Sequence, residues 1–194
     1  MNHCTNRRIS GQDAMNRWLG AIALAAWAAA VSPAFADLVD DCYAAGQDDP
    51  DKTIAICTRA INQVKTTNTR MATAYNNRGH AKIYKRDFDG AKTDIERAIR
   101  LNPKNQYAYD NLGDMWREKG DFDQAVVAYN HAIRIDGTFL AAYINRGMTF
   151  ERMGNLRSAR ADFQAVLDAS GQDREIDRWA KDEARKALER LDKK

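Results

Sequence analysis

Residues 72–105 read ATAYNNRGHAKIYKRDFDGAKTDIERAIRLNPKN, and their punctuation returns at a fixed spacing of 34. Tyr75, Gly79, Ala91 and Ala98 reappear as Tyr109, Gly113, Ala125 and Ala132, then as Tyr143, Gly147, Ala159 and Val166. A period of this length is the mark of supersecondary units stacked on one another. Each unit holds two segments with helical spacing of apolar residues. In the middle unit, Tyr109, Leu112, Gly113 and Trp116 form one stripe. Phe122, Ala125, Val126, Tyr129, Ala132 and Ile133 form the next. Between them stand Gly120 and Asp121, a glycine to end one helix left-handed and a carboxylate to cap the following one. Gly154 and Asn155 repeat the device, but the first full unit has Arg86 and Asp87. Arg86 is therefore expected to adopt the left-handed conformation at a cost of about 1 kcal/mol. Gly79, Gly113 and Gly147 sit inside helices, where each costs about 1 kcal/mol relative to Ala. Their recurrence predicts a close helix–helix approach. Two helices per unit cannot bury both their faces, so the units must stack.

These residues resemble the tetratricopeptide repeat family. Its pattern is an aromatic, two spacers, Leu-Gly, two spacers and an aromatic, followed by Ala-x3-aromatic and a Pro. Tyr109, Leu112, Gly113, Trp116, Ala125 and Tyr129 match it closely. The unit 72–105 keeps Pro103 but has Arg78, Lys82 and Ile95 where Leu and two aromatics are usual. The unit 140–173 has Arg146 for Leu, keeps Phe150 and Phe163, and ends on Gly171. The resemblance implies an all-α, right-handed superhelical solenoid of helix–turn–helix repeats at 72–105, 106–139 and 140–173.

Ahead of the repeats, residues 1–36 read as a leader. Arg17 precedes Trp18-Leu19 and an apolar run over 20–31, and Ser32-Pro33-Ala34-Phe35-Ala36 supplies an Ala-x-Ala cleavage site. This is the form of a secretory signal peptide, with cleavage expected after Ala36. The run is short of the ~20 apolar residues a membrane span needs. The stretch before Met15 carries Asp13 and suits export poorly, so Met15 is a candidate start. Without Arg7, Arg8, Arg17 and Asp13, the rest of the chain carries 27 basic and 26 acidic residues. That balance argues against a nucleic-acid surface and against a polybasic membrane patch. A periplasmic or secreted location follows as the expectation, with no stable membrane insertion after cleavage.

Residues 37–71 read as a divergent first unit. Its first helix is expected over 38–45 and its second from Pro50, a favoured first-turn residue. Ala60 to Ala98 is four residues longer than the repeat, which places an enlarged loop around Lys65–Thr69. Cys42 and Cys57 fall on these adjacent helices, and in an exported chain they read as a disulfide. Two buried free thiols are the alternative. At the other end, residues 174–194 form one more helix, with Ile176, Trp179, Ala180, Ala184, Ala187, Leu188 and Leu191 on an apolar face. Asp177–Lys181 and Asp182–Lys186 would pair at i,i+4 on its outer face. This is expected to be a capping helix; a helix lying on a membrane would show a more basic polar face.

Motifs for chemistry are sparse. His3, His80 and His131 have no zinc-site spacing, and no phosphate-binding glycine loop or nucleophile elbow occurs. A pair of His80 or His131 with Cys57 is the remaining route to a nucleophile. The chain is not expected to be an enzyme or to hold a cofactor or metal.

Asn77, Asn111 and Asn145 recur at the same period, each two residues before a helix glycine. In superhelices of the family the first helices line the concave surface. The resemblance implies that such asparagines form a ladder which hydrogen-bonds an extended peptide; local packing is the other reading of their recurrence. An amide donates and accepts, as a peptide group requires. Thr73, Asn76, His80, Tyr107, Asp110, Asp114, Arg117, Ile144, Met148 and Glu151 would stand nearby, with Ile144 and Met148 as an apolar patch. The two-cation clamp that some family members use on a terminal carboxylate is missing. Asn76, His80, Ala141 and Asn145 occupy the matching places. The expected function is a protein–protein interaction module holding a peptide or partner protein in its groove. The alternative is a structural assembly subunit of a cell-envelope complex, working through its convex face or ends.

Overall fold

Asp87, Asp121 and Asn155 each accept a hydrogen bond from the backbone N–H three residues ahead, on Gly90, Gln124 and Ser158. Each bond satisfies a donor that the start of a helix leaves open, and each opens the second helix of a unit. Gly120 and Gly154 reach these caps through left-handed turns, with φ of 90° and 76°. Arg86 takes φ 58° in the same place, as expected.

A computed structural model describes residues 33–45, 49–169 and 175–193. In order, the helices are α1 (Pro33–Ala44), α2 (Pro50–Gln63), α3 (Asn68–Tyr84), α4 (Phe88–Leu101) and α5 (Gln106–Lys119). They continue with α6 (Phe122–Ile135), α7 (Leu140–Arg152), α8 (Leu156–Asp168) and α9 (Glu175–Asp192). Among the described residues there is no strand. The chain is an all-α solenoid of helix pairs. First helices pack on first helices, α3 on α5, α5 on α7 and α7 on α9. The second helices α4, α6 and α8 do not meet one another. The first helices are thus the inner layer of the stack.

The recurring glycines lie where a first helix crosses its own second helix. A Cβ on Gly79 would stand 2.7 Å from Ile95 Cγ1, and one on Gly147 2.7 Å from Phe163 Cε1. On Gly113 it would stand 2.6 Å from Tyr129 Cδ1. Tyr129, Phe163 and Ile95 are fully buried, so the missing Cβ is the space these side chains fill.

Arg78 and Arg146 depart from the family pattern together with a partner on the next helix. Arg78 grips Asp94 through Nε and Nη2 at 2.8 and 2.7 Å, and Lys82 Nζ adds a third contact at 2.7 Å. Arg146 grips Asp162 at 2.9 and 2.6 Å. In the middle unit the same two places hold Leu112 and Ala128. Two units therefore close with a buried ion pair where the third closes with apolar side chains.

At the N-terminal end, α1 begins at Pro33 rather than at Leu38. Its first turn overlaps the end of the expected leader, whose residues 1–32 lie outside the described residues. Cys42 and Cys57 are joined, with S–S 2.04 Å, and are buried among Leu38, Val39, Ala60, Val64 and Ala74. The four extra residues before the first full repeat do not enlarge a loop. Instead Thr67 accepts from the Arg70 N–H and starts α3 early, giving it 17 residues against 14 in α5. One added turn of helix absorbs the insertion.

At the other end, α9 packs Ala180, Ala184, Ala187 and Leu191 against Leu140, Ile144, Phe163 and Val166. Two expectations for this helix are corrected. Trp179 is 43% exposed and not part of the seam. Asp177, placed on the outer face by its spacing, is 1% exposed. It stands in the first turn of the helix, where open backbone N–H groups favour a carboxylate. The outer-face pairing also differs from the expected Asp182–Lys186: Asp182 pairs with Arg185 and Lys186 with Glu183, at i,i+3. No helix among the described residues is long and apolar enough to cross a membrane.

Candidate functional site: the inner groove

The inner faces of α3, α5 and α7, with α1 and α9 at the ends, line a groove of about 800 Å³. Asn77, Asn111, Asn145, His80, Asp114 and Tyr107 all line it, as do Thr73, Asn76 and Asp110. Arg117 lies beside the floor. Its Nη2 pairs with Asp114 at 2.9 Å and its Nη1 donates to Asn145 Oδ1 at 3.4 Å. Met148 is not among the lining residues. It packs on the C-terminal core with fully buried Ile144, because α9 covers that face of α7. The expected apolar patch in the groove is therefore part of a helix seam. Glu151 pairs with Arg190 of α9.

The three asparagines form a ladder, and its rungs run between units. Asn111 Nδ2 donates to Asn76 Oδ1 at 2.9 Å. Asn145 Nδ2 donates to both carboxylate oxygens of Asp110, at 3.2 and 3.3 Å. Asn77 Nδ2 donates to the Cys42 carbonyl at 3.4 Å. Each rung thus ties one first helix to the preceding one. An amide carries a second N–H and a carbonyl oxygen besides, which gives the ladder chemistry left for an occupant.

The floor is acidic and its charges are unevenly met. Asp114 accepts from the Tyr129 hydroxyl at 2.7 Å and pairs with Arg117. Asp110 is 8% exposed and receives only the amide of Asn145. Burial first, and then the charge of Asp114, push its carboxyl well above the usual range, against the Asn145 hydrogen bond and Arg117. Burial lowers the His80 pKa against the pull of Asp114, which favours a neutral imidazole. Burial likewise raises the Tyr129 phenol, and Asp114 adds to it. His131 lies away from this groove, stacked on Tyr109 with ring centroids 5.2 Å apart. Cys57, the thiol considered beside these histidines, is bonded to Cys42. Among the described residues no group of three His, Cys, Asp or Glu could hold a metal ion.

Aromatic rings rim the groove. Tyr43, Tyr84, Tyr107 and Trp179 line it while remaining 73%, 53%, 53% and 43% exposed. Tyr84 stands edge-on to His80, and Tyr107 edge-on to Phe139. Of the four, spacing singles out only Tyr107. Tyr84 is the last residue of α3, where a ring can overhang the inner face, and Trp179 carries the helical period of the α9 seam without joining it.

A family model described as tetratricopeptide repeat matches residues 76–138, and a second of the same description matches 140–173. Together they span half of the chain. Comparison with curated proteins gave no match. Among solved structures, one described as the crystal structure of MamA protein is 27% identical with a TM-score of 0.56, over 69% of this chain and 70% of that one. An Arabidopsis OM64 TPR domain is 26% identical with a TM-score of 0.56, over 65% of this chain and 98% of that one. The first TPR of Spaghetti (RPAP3), bound to HSP90 peptide SRMEEVD, is 20% identical with a TM-score of 0.53, over 64% and 96%.

Proposed function

Because the chain belongs to the tetratricopeptide repeat family, we propose that it is a protein–protein interaction module whose inner groove holds a peptide segment of a partner. The observation that carries this reading is the rim. Six large hydrophobic side chains are exposed among the described residues, and four of them, Tyr43, Tyr84, Tyr107 and Trp179, line this one groove. Exposed apolar surface gathered around a concavity marks a binding surface. The Spaghetti domain shares the fold and holds a peptide. Asn77, Asn111 and Asn145 contribute through the amide groups that their rungs leave over. Removing all three would also loosen the stack, since each rung is worth about 0.5–1.5 kcal/mol. The cleaner test is the double variant Tyr84→Ala, Tyr107→Ala. A partner crosslinked in the native envelope should bind it at least about tenfold more weakly, while the melting temperature moves little. Unchanged affinity in a folded double variant transfers the function to the convex face or the ends, as in an assembly subunit.

Export to the periplasm or the medium belongs to the same proposal, supported by the leader pattern and by the Cys42–Cys57 pair. Mass spectrometry of unreduced envelope material should find Asp37 as the N-terminus and the two cysteine peptides linked. Closing a loop of 15 residues contributes about 3 kcal/mol, so Cys57→Ser should melt well below the parent. Freely alkylated thiols, or a species that keeps residues 18–31, would argue against export.

A further inference from the structure

Two other buried aspartates of the stack, Asp94 and Asp162, have a cation in contact. Asp94 has Arg78 and Lys82 at 2.7 Å, and Asp162 has Arg146 at 2.6 Å. Asp110 is buried to a similar degree and receives only a neutral amide. The nearby cation, Arg117, is held by Asp114, by Glu118 at 3.6 Å and by Asn145. A buried carboxyl without a cation is costly to ionise, and this one opens on a groove that could admit a cation. Asp110 and Asp114 are also the only formally charged side chains among the described residues that line it. No Lys or Arg is among them, and burial keeps His80 toward its neutral form.

We propose that the groove selects a segment bearing a basic side chain, Lys or Arg, whose cationic head seats on Asp110 beside Asp114 while its aliphatic stem is covered by the aromatic rim. The proposal rests on the groove being the binding surface. Long basic side chains suit such a site because an apolar stem and a charged head demand different surroundings. Tyrosine and tryptophan rings supply the first and also attract a cation through their faces. Asn77 and Asn111 line the same groove, and a side-chain amide oxygen can accept from the remaining N–H groups of an ammonium or guanidinium. An acidic segment would bring like charge against the two aspartates.

The test uses the chain without its leader, immobilised, and four pools of short peptides. The pools share uncharged random flanks and differ in one central residue: Lys, Arg, norleucine or Glu. Wild type should retain the Lys and Arg pools about tenfold more than norleucine, with Glu lowest, and the advantage should shrink as salt is raised. Asp110→Asn keeps an acceptor for Asn145 and removes the ionisable carboxyl that lacks a cation, so it should melt no lower than wild type. It should nonetheless lose the preference for Lys over norleucine. Equal retention of all four pools, or a Lys preference that survives Asp110→Asn, overturns the basic-segment proposal. If Tyr84→Ala, Tyr107→Ala still lowers retention, the groove reading stands without it. If no pool is retained better by wild type than by that double variant, both fail. Should Asp110→Asn fold poorly, the wild-type salt series decides, since equal slopes for Lys and norleucine pools rule out a charged contact.

Discussion

Gly113→Val is expected to lower stability by about 3 kcal/mol, the upper part of the usual range for overpacking a core. For a chain of this size that is a melting shift of roughly 6–12 °C. The magnitude follows from what the new side chain meets. Even a Cβ would lie 2.6–2.7 Å from Tyr129 ring atoms. Tyr129 is fully buried, and its hydroxyl is held by Asp114 at 2.7 Å, so the ring cannot swing aside without losing a bond. A γ-branched neighbour would yield more readily than this anchored ring. The damage should also reach the groove, because displacing Tyr129 frees Asp114. Gly137→Ala is the control, as its nearest neighbour would be 3.9 Å away, and it should be nearly silent. Equal melting of the two variants would mean that α5 and α6 do not close on this glycine.

Arg146→Leu should cost about 3–5 kcal/mol, and adding Asp162→Ala should recover most of that loss. The single change leaves the Asp162 side chain, 8% exposed, without its cation, and an orphaned buried charge carries a penalty of that size. The pair Leu and Ala, by contrast, is what the middle unit already uses at Leu112 and Ala128. Arg146 also donates to Asn130 and lies over the Tyr143 ring at 5.5 Å, so full recovery is not expected. Denaturant unfolding of wild type, both singles and the double closes the cycle. A double variant no more stable than Arg146→Leu would show that the arginine, not the pairing, holds this unit together.

The fold was legible because one period repeats. A shift of 34 aligns Tyr with Tyr, Gly with Gly and cap with cap, and the left-handed Arg86 could be named before any coordinate. What crosses a helix pair was harder to read. Arg78 and Arg146 were visible as departures, but nothing in the spacing tied them to Asp94 and Asp162, since the pairing spans 16 residues and a shift of 34 is blind to it. Asn77, Asn111 and Asn145 fall at the period, yet the rungs join position 111 to 76 and 145 to 110, one residue off it. Met148, Ile144, Trp179 and Asp177 share a cause. A first helix in a stack touches its own partner, the preceding unit and the following one, so amphipathic spacing alone cannot say which apolar residue faces a neighbour and which faces the groove. The same blindness hid the groove rim, because Tyr43, Tyr84 and Trp179 fall on three different helices.

The rungs also encode order. Asn76 and Asp110 differ in charge, but each offers an oxygen to the amide of the next unit. Either unit could precede an Asn-bearing neighbour. Ile144 stands at the corresponding place in the last full unit and offers nothing. The residue one period after Asn145 is Trp179, which carries no amide to place there. Another Asn-bearing unit placed after α8 would have to leave its amide without that bond. The array is thus directional, like a row of tiles whose last edge is cut smooth.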